Sequence, residues 1–125
     1  MSCSCSCGGN CPTLFYACSG AANTGYLSDS VARKLMKDGF GSMTCLAAVG
    51  AGLSGFIETA KSAQNIVLDG CSVACGKKIF DANGLSYTHI VMTDMGVEKG
   101  KTEITPDLIS KISLEVTEKT PGVVA

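Results

Sequence analysis

Short apolar runs alternate along the chain with stretches in which apolar positions recur every three or four residues. Thr13-Leu14-Phe15-Tyr16-Ala17 is the first run; it gives way to Cys18-Ser19-Gly20, the pattern of a buried strand followed by a turn. From about Thr24 to Asp38, Leu27, Val31 and Leu35 recur at i+4 while Asp29, Arg33 and Lys37 fall elsewhere on the wheel. That spacing predicts an amphipathic helix, with Gly39 as its stop. A second strand begins at Ser42-Met43-Thr44-Cys45, a glycine-containing loop covers 50–55, and a short helix is expected over 56–63. Asn65-Ile66-Val67-Leu68-Asp69 is the clearest buried strand, followed by Gly70-Cys71 and a predicted helix from Ser72 to about Asp81. Asn83-Gly84 marks a turn, Thr88 to Thr93 a fourth strand, and Thr105-Pro106-Asp107 the cap and first turn of a last helix reaching about Glu118.

Strand and helix therefore alternate four times, and the strand runs are nearly continuously apolar. Strands of that kind are buried on both faces, so the expected fold is a three-layer α/β sandwich: a mostly parallel four-stranded sheet with helices on both sides. Analogy with flavodoxin- and Rossmann-like sheets suggests the strand order 2-1-3-4. Residues 1–11 form a Cys/Ser/Gly tract with no hydrophobic period and are set apart as a tail, leaving residues 12–125 as one domain.

With 125 residues, 46% of them hydrophobic, the chain has material for a core that needs no disulfide staples. A net charge of -1 and dispersed basic residues give no footprint for nucleic acid or an anionic membrane. The N-terminus lacks the positive start and apolar run of a secretory signal, and the stretch from Cys45 to Ile57 is too short and too interrupted by glycine to span a bilayer. A cytoplasmic location is expected, and with it reduced thiols in place of disulfides for the eight cysteines.

Four of those cysteines follow the strand pattern. Cys45 comes 27 positions after Cys18, and Cys71 comes 26 after Cys45, each step one strand plus one crossover. Equal steps along parallel strands bring all three to the carboxyl edge of the sheet, where open α/β folds bind ligands, and Asp94 falls on the same rim. This placement requires the second strand to end early, before Leu46-Ala47-Ala48-Val49. Cys71 and Cys75, four apart at the start of a predicted helix, can offer two sulfurs from one face to one ion, near the positive end of the helix dipole. Cys18, Cys45, Cys71 and Cys75 thus form a candidate Cys₄ set suited to zinc; thiolates hold iron-sulfur clusters as well, and spacing does not separate the two.

The sequence Asp69-Gly70-Cys71-Ser72-Val73-Ala74-Cys75-Gly76-Lys77-Lys78 resembles the central motif of the DGC-domain family, described as zinc-binding and otherwise largely uncharacterised. The resemblance extends over Cys18-Ser19-Gly20, Asn23-Thr24-Gly25, Met43-Thr44-Cys45-Leu46-Ala47 and Thr93-Asp94-Met95-Gly96-Val97-Glu98-Lys99, in order. It implies that Cys18, Cys45, Cys71 and Cys75 are the chelating set, and it implies no particular activity.

Other features leave alternatives open. A cysteine after a strand and before a glycine-containing loop is a thiol-enzyme arrangement, so Cys18 is the nucleophile if the protein is an enzyme, handling sulfur or electrons. A low-molecular-weight phosphatase would have an arginine six residues after the cysteine; Thr24 stands there. Cys3, Cys5, Cys7 and Cys11 form either a second metal site or an oxidation-prone arm. His89, the single histidine, is expected to be packed or hydrogen-bonded within its strand. Asp69 and Asp94 are expected to orient ligands or to cap helices, while Lys77 and Lys78 either offset thiolate charge or lie on a solvated face.

Overall fold

The computed structural model describes residues 11–125. Four strands, β1 (Thr13–Ala17), β2 (Ser42–Thr44), β3 (Gln64–Asp69) and β4 (Thr88–Val91), form one sheet in the order β2-β1-β3-β4, and every pairing is parallel. Five helices accompany them: α1 (Asn23–Lys37), α2 (Leu46–Gly50), α3 (Ser54–Lys61), α4 (Cys75–Ala82) and α5 (Pro106–Lys119). A 3-10 turn over Met92–Met95 follows β4 directly.

The alternation of side chains along each strand divides the interior into two layers. Phe15 and Ala17 of β1, Ile66 and Leu68 of β3 and Ile90 of β4 point one way, into a core with Leu27, Val31 and Leu35 of α1 and Ile112 and Val116 of α5. Leu14, Tyr16 and Val67 point the other way, to Val49 of α2, Ala60 of α3 and Phe80 of α4. The Tyr16 and Phe80 rings meet edge-on at 4.7 Å. This is the three-layer α/β arrangement that continuous apolar strands require, since neither sheet face is left to water.

Helix boundaries follow from local chemistry. Gly39, at φ +89°, ends α1 in the left-handed conformation that a side chain resists, while Phe40 N–H bonds back to the Leu35 carbonyl. Thr105 Oγ1 accepts from Leu108 N–H at 3.1 Å and Pro106 opens α5, the expected cap and first turn.

Four boundaries depart from the sequence expectations. Leu46–Gly50, weighed as a possible extension of β2, is a helix: β2 stops at Thr44 and Cys45 occupies the N-cap of α2. The helix expected over 56–63 spans Ser54–Lys61, which shortens the expected loop at both ends. The fourth strand ends at Val91, its last residues tightening into the 3-10 turn. The helix expected from Ser72 begins at Cys75, because Ala74 takes a left-handed conformation at φ 55° and Ser72–Ala74 form a turn. Among the described residues, no helix is long and apolar enough to cross a membrane.

Candidate metal centre

Register places the cysteines. Thr44 lies opposite Tyr16, Ala17 opposite Leu68, and Asp69 opposite Val91, so the residues after all four strands emerge at one edge. Cys45 and Cys18 are the first residues beyond β2 and β1; Cys71 is the second beyond β3, and Asp94 lies exposed in the turn after β4. All four cysteines expected at the site are unpaired, with Cys18 and Cys71 half-buried and Cys45 and Cys75 exposed.

The alternation that sends Tyr16 and Val67 toward α4 continues one step past the core and carries Cys18 and Asp69 to the same side. Asp69 is buried there, with 1% of its surface exposed. Its Oδ1 accepts from Gly76 N–H at 2.8 Å and its Oδ2 from Lys77 N–H at 3.1 Å, and His89 Nε2 lies 2.7 Å from Oδ2. Asp69 thus caps α4 from the preceding strand, doing what the residue at the N-cap, Ala74, has no side chain to do. His89 is the expected hydrogen-bonded residue, supporting the cap.

Gly70 allows the rim to form at this depth. A Cβ there would lie 2.7 Å from the Thr24 backbone, so the first turn of α1 packs directly on the Asp-Gly-Cys segment. The Cys18 sulfur receives backbone N–H groups of Gly70 and Gly20. Burial nevertheless raises the Cys18 pKa above its ordinary value; the two amides oppose that rise, and the charges of Cys75 and Asp69 add to it.

Beside these thiols opens a cleft of about 710 Å³, lined by Cys18 and Cys45 together with Arg33, Met36, Met43 and Ile79. Arg33 is held by Asp29 at 2.7 Å, and Asp29 accepts from Ser19 Oγ at 2.9 Å.

The expected pairing of Cys71 and Cys75 on one helical face is corrected by the structure. Cys75 is the first residue of α4, whereas Cys71 lies in the turn before it. Among the described residues, no three His, Cys, Asp or Glu side chains converge closely enough to hold an ion. Lys77 turns to Asp81 at 2.9 Å, and the cation that reaches a rim sulfur is Lys99, whose Nζ donates to Cys71 Sγ at 3.4 Å. Cys3, Cys5 and Cys7 of the possible second site lie outside the described residues, which begin at Cys11.

Two comparisons bear on this arrangement. The chain is similar to the anaerobic and virulence modulator AnvM of Pseudomonas aeruginosa strain PAO1, with 32% identity over 88 residues, spanning 69% of this chain and 67% of that one. No solved structure matches. The family model of the DGC domain matches residues 14–116, from β1 into α5 and including all four rim cysteines, and the chain belongs to that family.

Proposed function

We propose that the protein binds zinc through Cys18, Cys45, Cys71 and Cys75. One observation carries the reading: four unpaired thiols stand at one edge of the sheet, beyond three adjacent strands. The donor set fits a thiophilic ion, since four thiolates complete a tetrahedral zinc site with a net charge of about -2. Peptide N–H groups at the Cys18 sulfur and the N-terminal end of α4 at Cys75 offer positive potential against that charge. No three donors converge among the described residues, so binding would require these four cysteines to come closer together than they stand. Bound zinc would supply a redox-inert link among the residues that follow β1, β2 and β3.

The test is metal content and optical spectrum of protein purified without air, compared with Cys71→Ser. One zinc per chain, colourless and lost in the variant, is expected. Two zinc ions would bring in Cys3, Cys5, Cys7 and Cys11; iron with visible absorption would replace the zinc reading with an iron-sulfur one; folded protein without metal would sink both.

A second reading takes Cys18 and Cys75, both unpaired and both beyond the carboxyl ends of the strands, as a redox pair. Here the two thiols are oxidised together to a disulfide, giving up two electrons and two protons to a disulfide or peroxide oxidant. The relative's name as an anaerobic modulator supports an oxygen-linked role of this kind. Peptide mapping after mild oxidation distinguishes it, by a Cys18–Cys75 cross-link formed in metal-free protein.

A further inference from the structure

The segment after the 3-10 turn is held against the start of α1 by one side chain. Asn23, the first residue of α1, donates from Nδ2 to the Glu98 carbonyl at 3.1 Å and to the Thr102 carbonyl at 2.8 Å. Its Oδ1 accepts from Gly100 N–H at 2.7 Å. The segment is also closed on itself: Lys101 and Thr102 N–H groups donate to the Glu98 carbonyl, and Glu98 N–H donates to Thr102 Oγ1. A turn tied by this many bonds fixes the points and directions from which its side chains leave the backbone. Lys99, inside it, reaches Cys71 Sγ at 3.4 Å, whereas Lys101 faces Glu98 at 3.9 Å.

We propose that Lys99, aimed by the Asn23 clamp, is the fixed positive charge of the cysteine rim: it sits beside Cys71 to offset thiolate charge and to draw anionic species to that sulfur. The metal half of this inference rests on the zinc reading above; the attraction of anions to Cys71 does not. A compact ammonium suits the task, since it provides charge without adding a metal ligand of its own while protonated. Its placement is long-range in sequence, 28 positions from Cys71, and depends on α1 as well as on the strand edge. Lys99 acts through Cys71 and is a positioning residue.

Two measurements test the proposal. In metal-free, reduced protein, Cys71 is alkylated with anionic iodoacetate or neutral iodoacetamide and the rates are read by peptide mass spectrometry. Lys99→Gln is expected to lower the iodoacetate-to-iodoacetamide rate ratio at Cys71 by about three- to tenfold, the scale of one neighbouring charge at a partly screened site. Lys99→Arg should restore the ratio, and Lys101→Gln should leave it at the wild-type value. An unchanged ratio in Lys99→Gln overturns the inference.

Zinc competition titration provides the second readout. Lys99→Gln is expected to weaken zinc binding about three- to tenfold, at or below the lower end for buried partners of metal ligands because Lys99 is exposed. Equal affinity in the wild type and Lys99→Gln overturns the charge-offsetting role. Failure of the wild type to bind zinc overturns the zinc reading alone, and the alkylation ratio then decides the Lys99 assignment.

Discussion

Asp69 accepts from two α4 amides and sits against His89 while only 1% of its surface is exposed, so its removal strands polar groups in a place that water does not reach. Asp69→Ala is expected to cost about 2–4 kcal/mol in urea unfolding, the loss of a helix cap plus unsatisfied buried donors. The residue type and its place at a strand end were legible as a cap or a ligand-orienting group; the pairing with His89 needed β3 beside β4. Tyr16 shows the same limit. Burial pushes its hydroxyl up from 10.0 to about 12, so between those values the unfolded chain gives up a proton that the folded chain keeps. Folding stability should therefore fall as pH rises above 10, and Tyr16→Phe should flatten that decline; unfolding midpoints across the range measure both.

At the scale of elements, the crossover after β3 is built from an unusual backbone. Ala74 holds φ 55°, and only after it does α4 start, with Asp69 supplying the cap from the strand. Ala74→Gly removes a Cβ from a conformation that disfavours it and is expected to stabilise the protein by about 1 kcal/mol, after allowance for the greater freedom of glycine in the unfolded chain. Chemical denaturation with unchanged slope would register the gain. The expected helix from Ser72 to about Asp81 has the right place and end but starts three residues too early, because alanine at 74 gives no signal for a left-handed turn. The short α2 was missed for a related reason: five residues with two alanines and a glycine carry too little pattern to separate a helix from a continuing strand. The early end of β2, by contrast, followed from the glycines beyond it, and it places Cys45 at the rim.

For the molecule as a whole, the zinc reading links stability to metal. An ion bridging the ends of three strands binds the folded chain in preference to the unfolded one, and zinc at a hundred times its dissociation constant would add about 2.7 kcal/mol. Thermal unfolding with zinc and with a chelator should differ accordingly, and Cys71→Ser should close the gap. On the zinc reading the donors would come from the ends of β1, β2 and β3 and from the start of α4. No pair of neighbouring residues would supply such a site, and its geometry would depend on the crossovers between those strands.

Periodicity, equal spacing and turn residues determined by themselves the four strands, their parallel run, the helices on both faces and the gathering of Cys18, Cys45 and Cys71 at one edge. These are consequences of burial: a continuously apolar strand must be covered twice, and each crossover returns the chain to the same end. Tertiary structure decided the surroundings of Cys18, Cys71 and Cys75. The amide of Gly70 at Cys18, the β3 cap that sets the start of α4 at Cys75, and the bonds from Asn23 that hold the turn carrying Lys99 beside Cys71 all join residues from separate segments. Their distances are fixed by how α1, α4 and the segment after β4 pack on the sheet, a geometry that a linear pattern of apolar and polar positions does not encode.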